Sequence, residues 1–78
     1  MSIVRAERRA TINRAIDLID SADPADLTSY LAEASIYDHL RADPAQLREK
    51  LATADGAGPV FAAWKVSQQI LRAAGLPY

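Results

Sequence analysis

Cysteine is absent from this 78-residue chain, and histidine occurs once, at position 39. The first absence excludes a disulfide scaffold and any thiolate-held metal. It also favours an intracellular setting, expected here to be the cytoplasm. The second leaves no pair of imidazoles for a metal site and no nucleophile network beyond His39 itself. Large apolar side chains are scarce as well: 16 of the 39 apolar residues are alanine, which leaves 23 bigger ones. Alanine favours helix but contributes little apolar area. The core of a chain this short is therefore thin, and residues 1–78 can form one helical domain and no more. Small domains of this kind often gain stability from self-association or from a partner. No apolar run approaches the roughly 20 residues that cross a bilayer, so no membrane span is expected. Met1-Ser2-Ile3-Val4-Arg5 reaches charge too soon to hold the apolar stretch of a secretory signal.

What is present reads as helix throughout. Ile12, Ile16 and Ile19, with Ala15 and Leu18 beside them, make one apolar stripe in a first helix over about residues 3–20. Ser21-Ala22-Asp23-Pro24 stops that helix and starts another: Asp23 suits the N-cap, and proline suits the first helical position. The second helix, over 24–41, carries Leu27, Tyr30, Leu31, Ala34, Tyr37 and Leu40. Asp43-Pro44 repeats the start signal, with Gln46 placed as in a capping box, and opens a third helix over 44–54 with Leu47, Leu51 and Ala54. Asp55-Gly56-Ala57-Gly58 breaks the chain. Pro59 is expected to open a fourth helix, over 59–74, with Val60, Trp64, Ser67, Leu71 and Ala74 on one face and Phe61, Val66 and Ile70 widening it. Gly75 would end it in the left-handed conformation, with Leu76 folding back. No stretch alternates as a half-buried strand does, so the expected fold is all-α, a small bundle of about four helices.

Residues 22–34 and 42–54 match at eight of 13 positions, a period of 20 residues. Two units are too few for a stacked repeat array, so the match reads as one capping chemistry used twice. Charge is also unevenly placed. The net value is −1, yet residues 1–14 hold Arg5, Arg8, Arg9 and Arg14 against Glu7, whereas residues 21–40 hold four acids and neither lysine nor arginine. That pattern suggests attraction between the first two helices or between copies of the chain. Arg5, Arg8 and Arg9 share one helical face and repel one another by a few tenths of a kcal/mol per pair. They could meet phosphates or an acidic protein surface, since guanidinium groups bind both. The alternatives are a solvated face or internal pairing with Asp26 and Glu33.

A search for an active site finds nothing organised. The acids of the second helix form no acid/base pair, and Gly56-Ala57-Gly58 lacks the lysine and preceding strand of a phosphate-binding loop. Neither a metal nor a cofactor is expected, and the chain is expected not to be an enzyme. The leading expectation is a non-catalytic protein-binding module: an adaptor, inhibitor or small regulatory subunit of bacterial or phage type, with a homodimer as one form. Its contact residues would be Arg5, Arg8, Arg9, Tyr37 and Tyr78, with Trp64 and Phe61 in the core. Residues 36–51 offer an alternative, because Ile36-Tyr37-Asp38-His39-Leu40-Arg41 followed by Asp43-Pro44-Ala45-Gln46-Leu47-Arg48-Glu49-Lys50 resembles the centre of a helix-turn-helix. Tyr37 stands where that motif usually has a small residue and Arg41 where it has glycine. The resemblance implies DNA binding through Gln46, Arg48 and Lys50, over residues 36–54.

Overall fold

The computed structural model describes residues 3–34 and 43–78. Four helices account for most of them: α1 (Ile3–Ser21), α2 (Pro24–Glu33), α3 (Pro44–Thr53) and α4 (Ala57–Ala73). The described residues contain no strand. The fold is thus an all-α bundle, with a Cα radius of gyration of 11.7 Å.

The two Asp-Pro signals work alike. Asp23 and Asp43 both hold extended backbone, and each carboxylate accepts from an amide of the first turn that has no helical acceptor. Asp23 Oδ2 takes the Ala25 N–H at 3.2 Å, and Asp43 Oδ1 takes the Gln46 N–H at 2.9 Å. Each helix then buries leucines four residues apart, Leu27 with Leu31 and Leu47 with Leu51. The 20-residue similarity therefore encodes one short helical unit twice: an acidic cap, a first-turn proline and a Leu-Leu stripe.

Helix α4 starts at Ala57, two residues before the expected Pro59. Gly56, with φ 87° and ψ 163°, caps it in a conformation closed to residues with a Cβ. Pro59 then occupies the third helical position, where its missing N–H is still one of the unpaired first-turn donors. The helix ends as anticipated. Gly75 sits at φ 75°, its N–H donates to Arg72 O at 3.0 Å, and the Leu76 N–H reaches Leu71 O at 2.9 Å. That pair of bonds is the Schellman closure. The expected reach of the second helix to residue 41 is met only to Glu33, with Ala34 as its cap, and residues 35–42 lie outside the described ones.

Tertiary pairings set the directions. Arg8 lies against Trp64 and Leu18 shares a hollow with Leu71, so α1 and α4 run side by side in the same sense. Arg48 meets Asp20 while Arg9 reaches Ala54, so α3 runs the opposite way along α1. Helix α2 packs against α4. Ile12, Ala15 and Ile19 of α1 meet the four leucines of α2 and α3 and Val60, Ala63, Ile70 and Leu71 of α4 in one cluster. Ser67 is fully buried among them, and its hydroxyl donates to Ala63 O at 2.7 Å, so a small polar side chain sits in the core with its donor satisfied.

Two expectations about this packing are corrected. Phe61 is 45% exposed rather than part of the core, because the buried stripe of α4 is centred on Ala63, Ser67 and Ile70, whereas Trp64 is half-buried and packs against the core cluster. Among the described residues no ion pair joins the first two helices. Helix α1 packs mainly on α4 and α3, where the apolar stripe leads it, and the one ion pair among the described residues is Arg48–Asp20 at 2.6 Å.

Candidate functional site

The three neighbouring arginines of α1 have three different surroundings. Arg9 points inward, and its Nη2 donates to the carbonyl of Ala54 at 2.6 Å, tying α1 to the end of α3. Arg8, one residue back and 100° around the helix, lays its guanidinium over two aromatic rings, 4.8 Å from the centroid of Trp64 and 5.0 Å from that of Phe61. Its Nε is buried and has no hydrogen-bond partner. The two rings are themselves 5.7 Å apart and tilted by 53°. Arg5 is exposed at the rim. Neither Asp26 nor Glu33 forms an ion pair with any of the three.

Around this stack lies a cleft of about 500 Å³ between α1, α4 and the returning tail. Val4, Arg8 and Arg14 come from α1, Trp64 and Gln68 from α4, and Tyr78 closes the far side. Tyr78 gets there because Gly75 reverses the chain and Leu76 and Pro77 pack beside Leu18 and Leu71, which directs the tail back along α1. Apolar side chains crowd the same end of the molecule: Ile3 is 77% exposed, Tyr78 56%, and Val4 and Phe61 about half. Lys65 adds a second cation about 6 Å from both rings. Exposed apolar and aromatic groups interleaved with cations are the usual make-up of a recognition surface rather than of a solvated face.

Arginine over the rings of tryptophan and phenylalanine is a cation–π arrangement, which restrains the guanidinium at the cleft. Arg14 is exposed on the cleft wall and gives one Nη2 bond to Thr11 Oγ1 at 3.1 Å. Glu7 is the single acidic side chain lining the cleft. Among the described residues, no three histidine, aspartate or glutamate side chains converge as a metal site would require.

The second candidate surface is differently built. Gln46 and Lys50 are exposed on α3, but Arg48 is engaged by Asp20, its Nε donating to Oδ1 at 2.6 Å. That bond holds the Asp20 carboxyl below its ordinary pKa and raises Arg48, with Asp17 and Glu49 adding smaller attraction to Arg48. The positive charge of this surface is therefore answered by acids of α1 and α3. Tyr37 and His39 lie outside the described residues.

Of the expected contact residues, the fold brings Arg8 and Tyr78 to one cleft with Arg5 at its edge, and gives Arg9 to an interhelical bond. Sequence reasoning overlooked Val4, Arg14 and Gln68 and assigned Phe61 and Trp64 to the core. One signal was available. Phe61 lies 100° from Val60, on the side away from Ala63 and Ser67, so a stripe centred on the small residues would have excluded it. No known protein family, curated protein or solved structure matches this chain.

Proposed function

We propose that the chain is a non-catalytic protein-binding module whose contact face is the cleft of Arg8, Trp64 and Tyr78. The observation behind this reading is the open cleft itself: Arg8, Arg14, Trp64 and Tyr78 line it with the half-exposed Val4, and Phe61 stands beside Trp64. Arginine, tryptophan and tyrosine are the side chains that most often dominate the binding energy of protein interfaces. The helix-turn-helix alternative draws less support, because Arg48 is paired with Asp20 and acids surround it, an arrangement that repels phosphates.

Photo-crosslinking separates the two. A benzophenone amino acid placed at Phe61, and separately at Gln46, is irradiated in lysate of the native host. Protein adducts at position 61 with none at 46 are the expected outcome. Adducts to nucleic acid at position 46, lost as salt is raised, would transfer the function to α3.

A further inference from the structure

The cleft has a length, a charge and a depth that select among protein partners. Resting on the binding reading above, we infer that its occupant is an acidic segment of a partner protein, laid along the cleft of α1, α4 and the tail. An apolar anchor of that segment sits among Val4, Trp64 and Tyr78, while its carboxylates reach Arg8 and Arg14.

Charge complementarity fixes the sign of the partner. Arg8 and Arg14 line the cleft, Arg5 and Lys65 lie beside it, and Glu7 is the one acidic side chain in its wall. No ion pair among the described residues neutralises any of these four cations. A carboxylate arriving at Arg8 finds a guanidinium already placed against two rings, so less side-chain entropy remains to be lost on binding.

Arg8 and Arg14 are six residues apart on one helix, about 9 Å along its axis and about 120° around it, and both line the cleft, so an acidic segment lying in it passes both guanidinium groups. Depth decides against a lipid surface: the aromatic groups line a concavity of about 500 Å³ that a flat headgroup layer cannot enter, and Arg8 lies across the rings rather than projecting outward.

The test begins with a phage-displayed library of random 18-residue peptides panned on the intact chain. Enriched sequences are expected to carry two or more Asp or Glu together with large apolar residues. Synthetic copies should shift the emission of Trp64, the chain's one tryptophan. They should bind at least about tenfold more weakly to Arg8→Glu, the scale expected when a desolvated charge pair is replaced by repulsion. Arg14→Glu, at an exposed position, serves as a second variant whose folding is not at stake, and its affinity should fall in the same direction. Enrichment of basic or neutral sequences, or binding that both variants leave unchanged, overturns the inference. So does adsorption to phosphatidylcholine vesicles containing phosphatidylglycerol in place of any peptide selection, and so does a dimer by light scattering that Arg14→Glu dissolves. A protein adduct at position 61 without an acidic consensus would sink this inference and leave the binding reading standing. Loss of both would sink the two together.

Discussion

Replacing Arg9 by methionine keeps most of the aliphatic stem and removes the guanidinium that donates to Ala54 O at 2.6 Å. Ala54 caps α3 with extended backbone, φ −59° and ψ 124°, and its carbonyl falls among those a helix end leaves without an internal donor. A net hydrogen bond involving a charged group contributes about 1.5–3 kcal/mol. Arg9 is half-buried, so water can replace part of that interaction, and a loss of about 1–2 kcal/mol is the working figure. A chain of this length has about 4–12 kcal/mol of stability in all. Each kcal/mol moves the midpoint of a domain this size by roughly 4–8 °C, so Arg9→Met should melt about 4–16 °C lower.

Far-ultraviolet circular dichroism during heating measures that shift directly. The acceptor is a neutral carbonyl, so the deficit should persist at high salt, where an exposed ion pair would be screened. Arg5→Met is the companion measurement. Arg5 is exposed, and its loss should change stability by no more than about 0.5 kcal/mol. If Arg9→Met melts together with wild type and with Arg5→Met, water serves the Ala54 carbonyl equally well. The link between α1 and α3 would then carry no energy, and the reasoning fails.

The Arg48–Asp20 pair should appear in the acid limb of stability. Asp20 titrates below its ordinary value in the folded chain, so its contribution is fully present above about pH 4, where the unfolded carboxyl ionises, and fades as pH falls through the lower folded value. Urea midpoints of wild type and Asp20→Asn should accordingly differ by a constant amount at neutral pH and converge in acid; a gap that widens on acidification would reverse the assignment. Gly56→Ala should cost about 1–3 kcal/mol, because φ 87° with ψ 163° is a region that only glycine occupies easily. Gly58→Ala should instead stay within about 0.5 kcal/mol of wild type, because the helical Cβ is crowded by the ring of Pro59 while alanine restricts the unfolded chain. Chemical denaturation that ranks these two variants the other way would refute the placement of the α4 start. Ser67→Ala should stay within about 0.5 kcal/mol of wild type, because its hydroxyl bonds only within its own helix, whereas Ser67→Leu should lose about 1–3 kcal/mol by overpacking. Thermal melts of the pair check it, and a well-tolerated leucine would mean the core is looser there than its burial implies.

Features with local causes were legible in the sequence. Asp23-Pro24 and Asp43-Pro44 act within one helical turn, Gly75 acts through its own φ, and Ile12 and Ile19 stand out because few large side chains compete with them. The failures share another cause. In α4, Ala57, Ala62, Ala63 and Ala73 are nearly silent in an apolar pattern, so the stripe through Val60, Trp64 and Leu71 could be drawn wide enough to take in Phe61. Tertiary neighbours decided otherwise, burying Ala63 and Ser67 and leaving Phe61 outside. The start of α4 was misplaced because proline is a strong signal for the first turn and a weak one for the position within it. The arginines were ambiguous for the same geometrical reason. Arg8 and Arg9 are adjacent in sequence and 100° apart on the helix, and only the positions of Trp64 and Ala54 assign them different work.

The division of α1 gives that work a consequence. From Ile3 to Ala10 no apolar side chain is buried, whereas Ile12, Ala15 and Ile19 of the remainder all belong to the core. The first two turns are therefore held by their own backbone bonds, by Arg9 at Ala54 and by the stack of Arg8 on Trp64, rather than by apolar burial. A short helical stretch is marginal in water without tertiary packing. Ordering it uses free energy that a chain with 23 large apolar residues has little of to spare. Under the proposed binding role that outlay serves the cleft, where Val4 and Arg8 of these turns and Arg14 further along face Trp64 and Tyr78. Substitutions at the exposed cleft positions Val4 and Arg14 should then alter affinity at nearly constant melting temperature, whereas substitutions at the buried Ile12, Ala15 and Ile19 should do the reverse.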